Sequence, residues 1–251
     1  MNDFCKICGS PTAEMVHKKF RLKYYYCHEC GFISKDENSL ISPEKELEIY
    51  SRHNNSIDDP RYVAYFKRFI EEAVIPFCRG KRGLDYGSGP SPVLATILER
   101  DYGFSMDIYD LFFSPDRIYE GKTYAMITST EVIEHLENPL EHFEIFKKCM
   151  GEGSVLSIMT LFHPESEEEF LNWYYMRDMS HISFYTPQTM RVIGEKPVWK
   201  LSIQIICVTR RTYRKETPPV EFDPGRKNFL RTLLRFSLRR FFRVVACQRV
   251  R

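Results

Sequence analysis

The sequence predicts an α/β fold: a doubly wound, mostly parallel sheet, preceded by a small cysteine-rich module and followed by a basic amphipathic helix. Three observations carry this. Short apolar runs alternate with helical patterns between residues 81 and 160, the signature of βαβ units. The segment Gly83-Leu84-Asp85-Tyr86-Gly87-Ser88-Gly89-Pro90-Ser91 places two glycines, one residue apart, at a strand-to-helix turn. Four of the eight cysteines fall in two Cys-x-x-Cys pairs near the start.

Taken in order, Cys5-Lys6-Ile7-Cys8-Gly9 and Cys27-His28-Glu29-Cys30-Gly31 each have the form of a metal knuckle. Two intervening residues let a tight turn present both sulfurs to one tetrahedral ion. Structural zinc held by Cys5, Cys8, Cys27 and Cys30 is the expectation, with disulfides or redox dithiols as the alternatives. His28 is expected to be exposed rather than ligating. The run ending Tyr24-Tyr25-Tyr26 suits a strand, and Lys18, Lys19, Arg21 and Lys23 form a short basic patch. A polar link over 36–42 leads to a helix over 43–50. Asp58-Asp59-Pro60 then starts a helix whose Tyr62, Phe66, Phe69, Ile70 and Ala73 share a face. Strands are expected over 83–86, 105–109, 124–129 and 154–160, with helices over 92–100 and 139–150 between them. The expected divisions are 1–35, a ribbon; 36–78, a helical linker; 79–213, the main domain; and 214–251, a basic extension.

In a parallel sheet the ligand site lies off the carboxyl ends of the strands. Asp85, Asp110, Glu131 and the segment after Thr160 all fall at that edge. These residues also carry a family resemblance. The run from Leu84 to Gly89, then Asp110, then Glu131-Val132-Ile133-Glu134-His135-Leu136 resembles the class I methyltransferases that use S-adenosylmethionine, which have a Rossmann-like fold. The segment from Trp173 to Tyr185 looks like one branch of that family, a branch that often carries an N-terminal Cys-x-x-Cys ribbon. The resemblance covers residues 80–190 and departs at Ser91, where the motif has its third glycine.

It implies that Gly87, Ser88 and Gly89 form the cradle for the methionine part of the cofactor, with Asp85 holding its amino group. Asp110 would accept the ribose hydroxyls, Leu111 and Phe112 would flank the adenine, and Glu131 would face the cofactor. His181 is the candidate base, oriented by Asp178, with Tyr175 shaping the pocket; alternatively Asp178 and His181 fix a loop over the cofactor. Trp173, Tyr174 and Tyr175 could stack on an acceptor or belong to the core. If residues 131–136 open a helix, Glu131, Glu134 and His135 share a face. With His181 they would form a second metal site of Mg²⁺ type, as the small-RNA 2′-O-methyltransferases have. The alternative is that they line the pocket without an ion.

The tail over 226–251 holds eight arginines and one lysine with no acid, although the whole chain nets only +2, so the remainder is acidic. A helix over 228–245 would set Leu230, Leu234, Leu238 and Phe242 beside arginines. Its expected partners are an anionic membrane surface, RNA, another protein, or solvent alone. Hydrophobic content of 43% with 28% charge fits a globular protein, and no apolar run reaches spanning length. With no signal-peptide pattern, the expected address is cytoplasmic, with the membrane surface as a secondary site. The expected activity is methylation of a small-molecule or carrier-linked acceptor on oxygen, nitrogen or carbon. RNA methylation and a catalytically silent binding protein are the alternatives.

Overall fold

The structure is a computed structural model that describes residues 4–52, 55–195, 204–208 and 241–245, the last two segments as backbone only. A ribbon opens the chain: β1 (Ala13–His17), β2 (Leu22–Tyr26) and β3 (Ile33–Lys35) form an antiparallel meander. Its fourth strand comes from much later in the sequence. β8 (Ser183–Phe184) pairs antiparallel with β3, Ile33 opposite Phe184 and Ser34 opposite Ser183.

Two helices follow, each begun by a side-chain cap and a proline in the first turn, where the missing N–H costs nothing. In α1 (Pro43–Ser51) Ser42 accepts from the Lys45 N–H; in α2 (Pro60–Phe69) Asp59 accepts from the Arg61 N–H. α2 runs on into a π-helical turn, Ile70–Val74. Phe66, Phe69, Ile70 and Ala73 of the expected face are buried, and Tyr62 packs against them.

The second sheet has the order β10 (Phe241–Val245), β9 (Gln204–Val208), β7 (Met150–Met159), β6 (Tyr124–Thr130), β4 (Arg82–Tyr86), β5 (Ser105–Tyr109). β4, β5, β6 and β7 are parallel, with α3 (Val93–Tyr102) and α4 (Pro139–Lys148) as crossovers. α5 (Glu167–Asn172) and α6 (Pro187–Glu195) flank β8 in sequence. β7 begins earlier than the sequence suggested: Met150 already pairs with Tyr124, ahead of a bulge before Met126.

Both faces of this sheet are covered, as the period-2 alternation of strand side chains requires. Val155 and Met159 of β7 face Phe66, Phe69 and the α3 residues Leu94, Ile97 and Leu98. Leu156 and Ile158 point the other way, toward Phe143 and Phe146 of α4. That second core also contains Cys5, Ile7, Cys27, Cys30 and Phe32, so the ribbon and the main sheet share apolar packing.

β9 (Gln204–Val208) runs parallel to β7, and β10 (Phe241–Val245) is antiparallel to β9. Phe241–Val245 is thus a strand, not the close of the expected basic helix; its Phe-Phe-Arg-Val-Val composition favours extended backbone. The rest of that expected helix, residues 228–240, lies outside the described residues. Among the described residues no helix is long and apolar enough to cross a membrane.

Candidate functional site

The carboxyl ends of β4, β5 and β6 open into one cleft of about 1160 Å³, bounded by α1, α2 and the segment 174–182. At its floor the chain leaves β4 through the glycine turn. Gly87 and Gly89 have φ of +88° and +68°, the left-handed region in which side chains are strained. A Cβ on Gly87 would sit 2.2 Å from Val132 Cγ2, so the turn also needs glycine for space. The N–H groups of Gly87 and Ser88 both point to the Tyr109 carbonyl, fixing the loop to β5.

Asp110 braces the same loop. One carboxylate oxygen accepts the Gly89 N–H at 2.9 Å, and the other accepts those of Phe112 and Phe113 at 3.0 and 3.1 Å. A carboxylate oxygen has two accepting positions, so Oδ2 retains one. Asp85 is buried at the end of β4, where Thr128 donates to it at 2.8 Å. Burial pushes its carboxyl up to about 7 despite that hydrogen bond. Leu111 is 66% exposed at the cleft rim, and Phe112 lies beside Tyr50. The buried Ser88 hydroxyl has no hydrogen-bond partner among the described residues. A buried polar atom left this way inside a glycine cradle is what a polar ligand would complete.

Residues 131–136 do not form the α-helix that would align Glu131 with Glu134 and His135. Only Ile133–His135 turns, as a single 3₁₀ turn. The backbone groups of this segment are engaged elsewhere. The Glu131 N–H still bonds the Met159 carbonyl, Tyr185 donates to the Ile133 carbonyl, and the Ile182 N–H takes that of Glu134. Glu131 itself sits at φ +55°, a strained position for a side-chain-bearing residue, costing about 1–3 kcal/mol. Strain of this kind persists where the surroundings over-determine it: the Tyr65 hydroxyl donates to the Glu131 carboxylate at 3.3 Å, and the Tyr175 oxygen stands 3.4 Å from it.

Glu134 is fully buried, with Thr160 donating to one oxygen at 2.9 Å and the Tyr175 hydroxyl to the other. Glu134, His135 and His181 bring potential metal-ligating atoms within 4.8 Å of one another; Glu131 stands outside this group. Both histidines are oriented by backbone carbonyls. His181 Nδ1 lies 2.8 Å from the Tyr175 carbonyl and His135 Nδ1 lies 3.0 Å from that of Ser180. A carbonyl only accepts, so Nδ1 carries the proton in each ring and Nε2 keeps its lone pair. Burial, reinforced by neighbouring His135, presses His181 down to about 3. Asp178 Oδ2 stands 3.8 Å from His181 Nε2, beyond hydrogen-bond range, while its Oδ1 accepts from Ser180. The Tyr175 carbonyl, rather than Asp178, therefore sets the ring of His181. Tyr175 is buried against that ring, Trp173 is half-buried, and Tyr174 is exposed.

At the other end of the ribbon, the Cys5–Cys30 and Cys8–Cys27 sulfurs are 3.5 and 3.4 Å apart, and all four lie within 4.8 Å of one another. All four are free thiols. A tetrahedron with Zn–S bonds of 2.3 Å has S···S edges of about 3.8 Å, so the set fits such an ion. The hydrogen bond with Cys30 lowers the Cys5 thiol to about 5 and pushes Cys30 up. Gly9 and Gly31 close the knuckles at positive φ, each N–H bonding the carbonyl of the first cysteine. His28 is exposed.

A doubly wound sheet with a glycine cradle, an acid just after its second strand and an open cleft has the architecture of the nucleotide-cofactor-binding folds. A family model described as a methyltransferase domain matches residues 59–196, more than half of the chain, and the chain belongs to that family. Its members methylate with S-adenosylmethionine. No curated protein matches the chain.

Several residues that hold the site's carboxylates had no sequence signal. Tyr65 sits beside the recognised apolar face of α2, and Thr128 and Thr160 read as ordinary strand residues. Their partners, Glu131, Asp85 and Glu134, are distant in sequence.

Proposed function

We propose that this chain is an S-adenosylmethionine-dependent methyltransferase acting on a small, neutral or cationic acceptor, including one delivered on a carrier. The observation that carries the reading is the charge of the cleft. Among the described residues, Glu46, Asp85, Asp110, Glu131, Glu137 and Asp178 line it against Arg52 and Arg177. Carboxylates facing a shared cleft raise the cost of bringing in a polyanion such as RNA and favour positive or uncharged ligands. The cofactor, which supplies the methyl group on a sulfonium, itself carries more positive than negative charge.

In this reading Gly87, Ser88 and Gly89 cradle the methionine part, Asp85 meets its ammonium, and Asp110 accepts from the ribose. Leu111 and Glu131 complete the cofactor side. His181, with Nδ1 tied to the Tyr175 carbonyl, offers Nε2 as acceptor for the proton of an incoming hydroxyl or amine. Its low proton affinity suits holding and aligning that group, with Asp178 close enough to stabilise positive charge as the methyl is transferred. Tyr175 fixes His181 through its carbonyl and Glu134 through its hydroxyl. No second ion is needed by this arrangement. The Glu134 carboxylate is already bonded at both oxygens, and a hard ion such as Mg²⁺ prefers oxygen to the two imidazoles present. The four ribbon cysteines hold structural zinc.

Calorimetry with S-adenosylmethionine tests the core of the reading. Wild type should bind, and Asp110→Ala should lose about 2–3 kcal/mol, some 30- to 150-fold in affinity, from the lost ribose contacts and the loosened Gly89 loop. Absence of binding, or an Asp110→Ala affinity equal to wild type, would sink it. Labelled methyl transfer into RNA in preference to neutral and amine acceptors would overturn the acceptor class.

A further inference from the structure

Lys35 is a buried charge that the proposed chemistry does not use. It is the last residue of β3, 2% exposed, and its Nζ donates to the Met179 carbonyl at 2.9 Å. Among the described residues no carboxylate comes within 4 Å of that ammonium, although Asp178 is near enough to favour its charged form. Desolvation lowers the group to about 8. Burying an ammonium without a close counter-ion is costly, and a hydrophobic residue of the same length would relieve that cost.

What it holds is the segment carrying Asp178 and His181. Three contacts from the ribbon sheet reach it. The Tyr24 hydroxyl bonds the Met176 carbonyl at 3.5 Å, Lys35 Nζ bonds that of Met179, and the Lys35 N–H bonds that of Ile182 at 2.8 Å. From the opposite side, His135 bonds the Ser180 carbonyl, and Ile182 bonds Glu134. The segment is thus clamped between the ribbon and the turn after β6. Lys35 supplies the side-chain tie at its centre, one residue from Asp178 and two from His181.

We propose that Lys35 is a positioning residue of the active site: the ribbon reaches through it to set the 178–181 segment, and with it His181, on the acceptor side of the cleft. This rests on the reading that His181 faces the acceptor, but not on cofactor binding, so the two fail separately. The groups facing Lys35 are Asp178 and His181 on the segment, and Lys6 and Glu137 line the small recess beside it.

The test compares full-length, metal-loaded wild type with Lys35→Met. Amide exchange over 179–182 should accelerate at least tenfold, and the ¹⁵N signals of the His181 ring should shift or broaden as Nδ1 loses its single geometry. Calorimetric affinity for S-adenosylmethionine should stay within twofold of wild type. Unchanged exchange and unchanged His181 signals would overturn the proposal, as would faster exchange spread equally over β4 and β6. A wild-type measurement stands independently of the variant. Lys35 should resist reductive methylation by formaldehyde and borohydride while exposed Lys18 and Lys19 react; labelling at equal rates refutes the buried tie. Loss of cofactor binding in wild type would count against the proposed function and leave the exchange result to judge Lys35.

Discussion

Asp85 shows how much one buried carboxyl can report. Its carboxyl is raised to about 7 by burial, against 3.8 in an unfolded chain, so between those values the folded protein holds the proton more tightly. Stability contributed by the neutral form is therefore present at low pH and lost as pH rises through 7. Asp85→Asn, neutral at every pH, should stabilise the ligand-free protein more at pH 8 than at pH 5, by roughly 1 kcal/mol or more at the higher pH, read from denaturant unfolding. The same substitution should weaken S-adenosylmethionine at least tenfold, because a ligand ammonium favours the carboxylate. A wild-type affinity that rises between pH 6 and 7 accompanies this expectation; a flat profile argues against contact with Asp85.

At the same scale, the sequence was informative where chemistry is local. The glycine turn, Asp110 and the four cysteines are legible because adjacent residues do the work: a turn needs its glycines, and a knuckle needs its spacing. Glu131 was not legible in the same way. Its strained φ comes from a Met159 contact across the sheet and from two tyrosines on separate elements. Lys35 carries no signal in the sequence, since the residues that bury it are far along the chain.

Among the elements, the ribbon carries the clearest expectation. Its knuckle carbonyls are anchored on the main domain. Thr189 donates to the Cys30 carbonyl at 2.8 Å, and His163 lies 2.7 Å from that of Gly31. A Cβ on Gly31 would meet Thr186 Oγ1 at 2.6 Å, so the contact is close. Removing the metal should therefore disturb more than the first thirty residues. Chelated protein and Cys27→Ser should each melt several degrees lower, in one transition rather than two, since the cysteines share a core with Phe143, Phe146 and Tyr185. Metal analysis should return one zinc per chain; a metal-free protein with an unchanged melting temperature would discard the site. Strand and helix positions in the main domain were legible from alternation, because the helical and strand periodicities are local patterns. The pairing of β3 with β8 was not, because no local pattern records a partner so distant.

For the whole molecule, four buried or half-buried histidines set the response to acid. His135, His142, His163 and His181 are all lowered by burial, the last to about 3. Unfolded, each would take up a proton near pH 6.5; folded, each resists. The unfolded chain then binds more protons below that value, so stability rises with pH across this window and falls on acidification. Asp85 acts oppositely, but it is one group against four. Thermal melts from pH 7 down to pH 5 should show a steady loss, with His181→Gln flattening part of the slope; an increase in melting temperature on acidification would contradict the burial of these rings.

The pairing of Ile33 with Phe184 has a further consequence for how the chain assembles. During synthesis the ribbon leaves the ribosome before the methyltransferase domain, with three strands and its four cysteines in hand. Its open edge at β3 then waits, exposed, until nearly the whole methyltransferase domain has been translated. The nascent ribbon is a template seeking one specific late strand. Its completion marks the moment at which the front and the back of the protein become one folding unit.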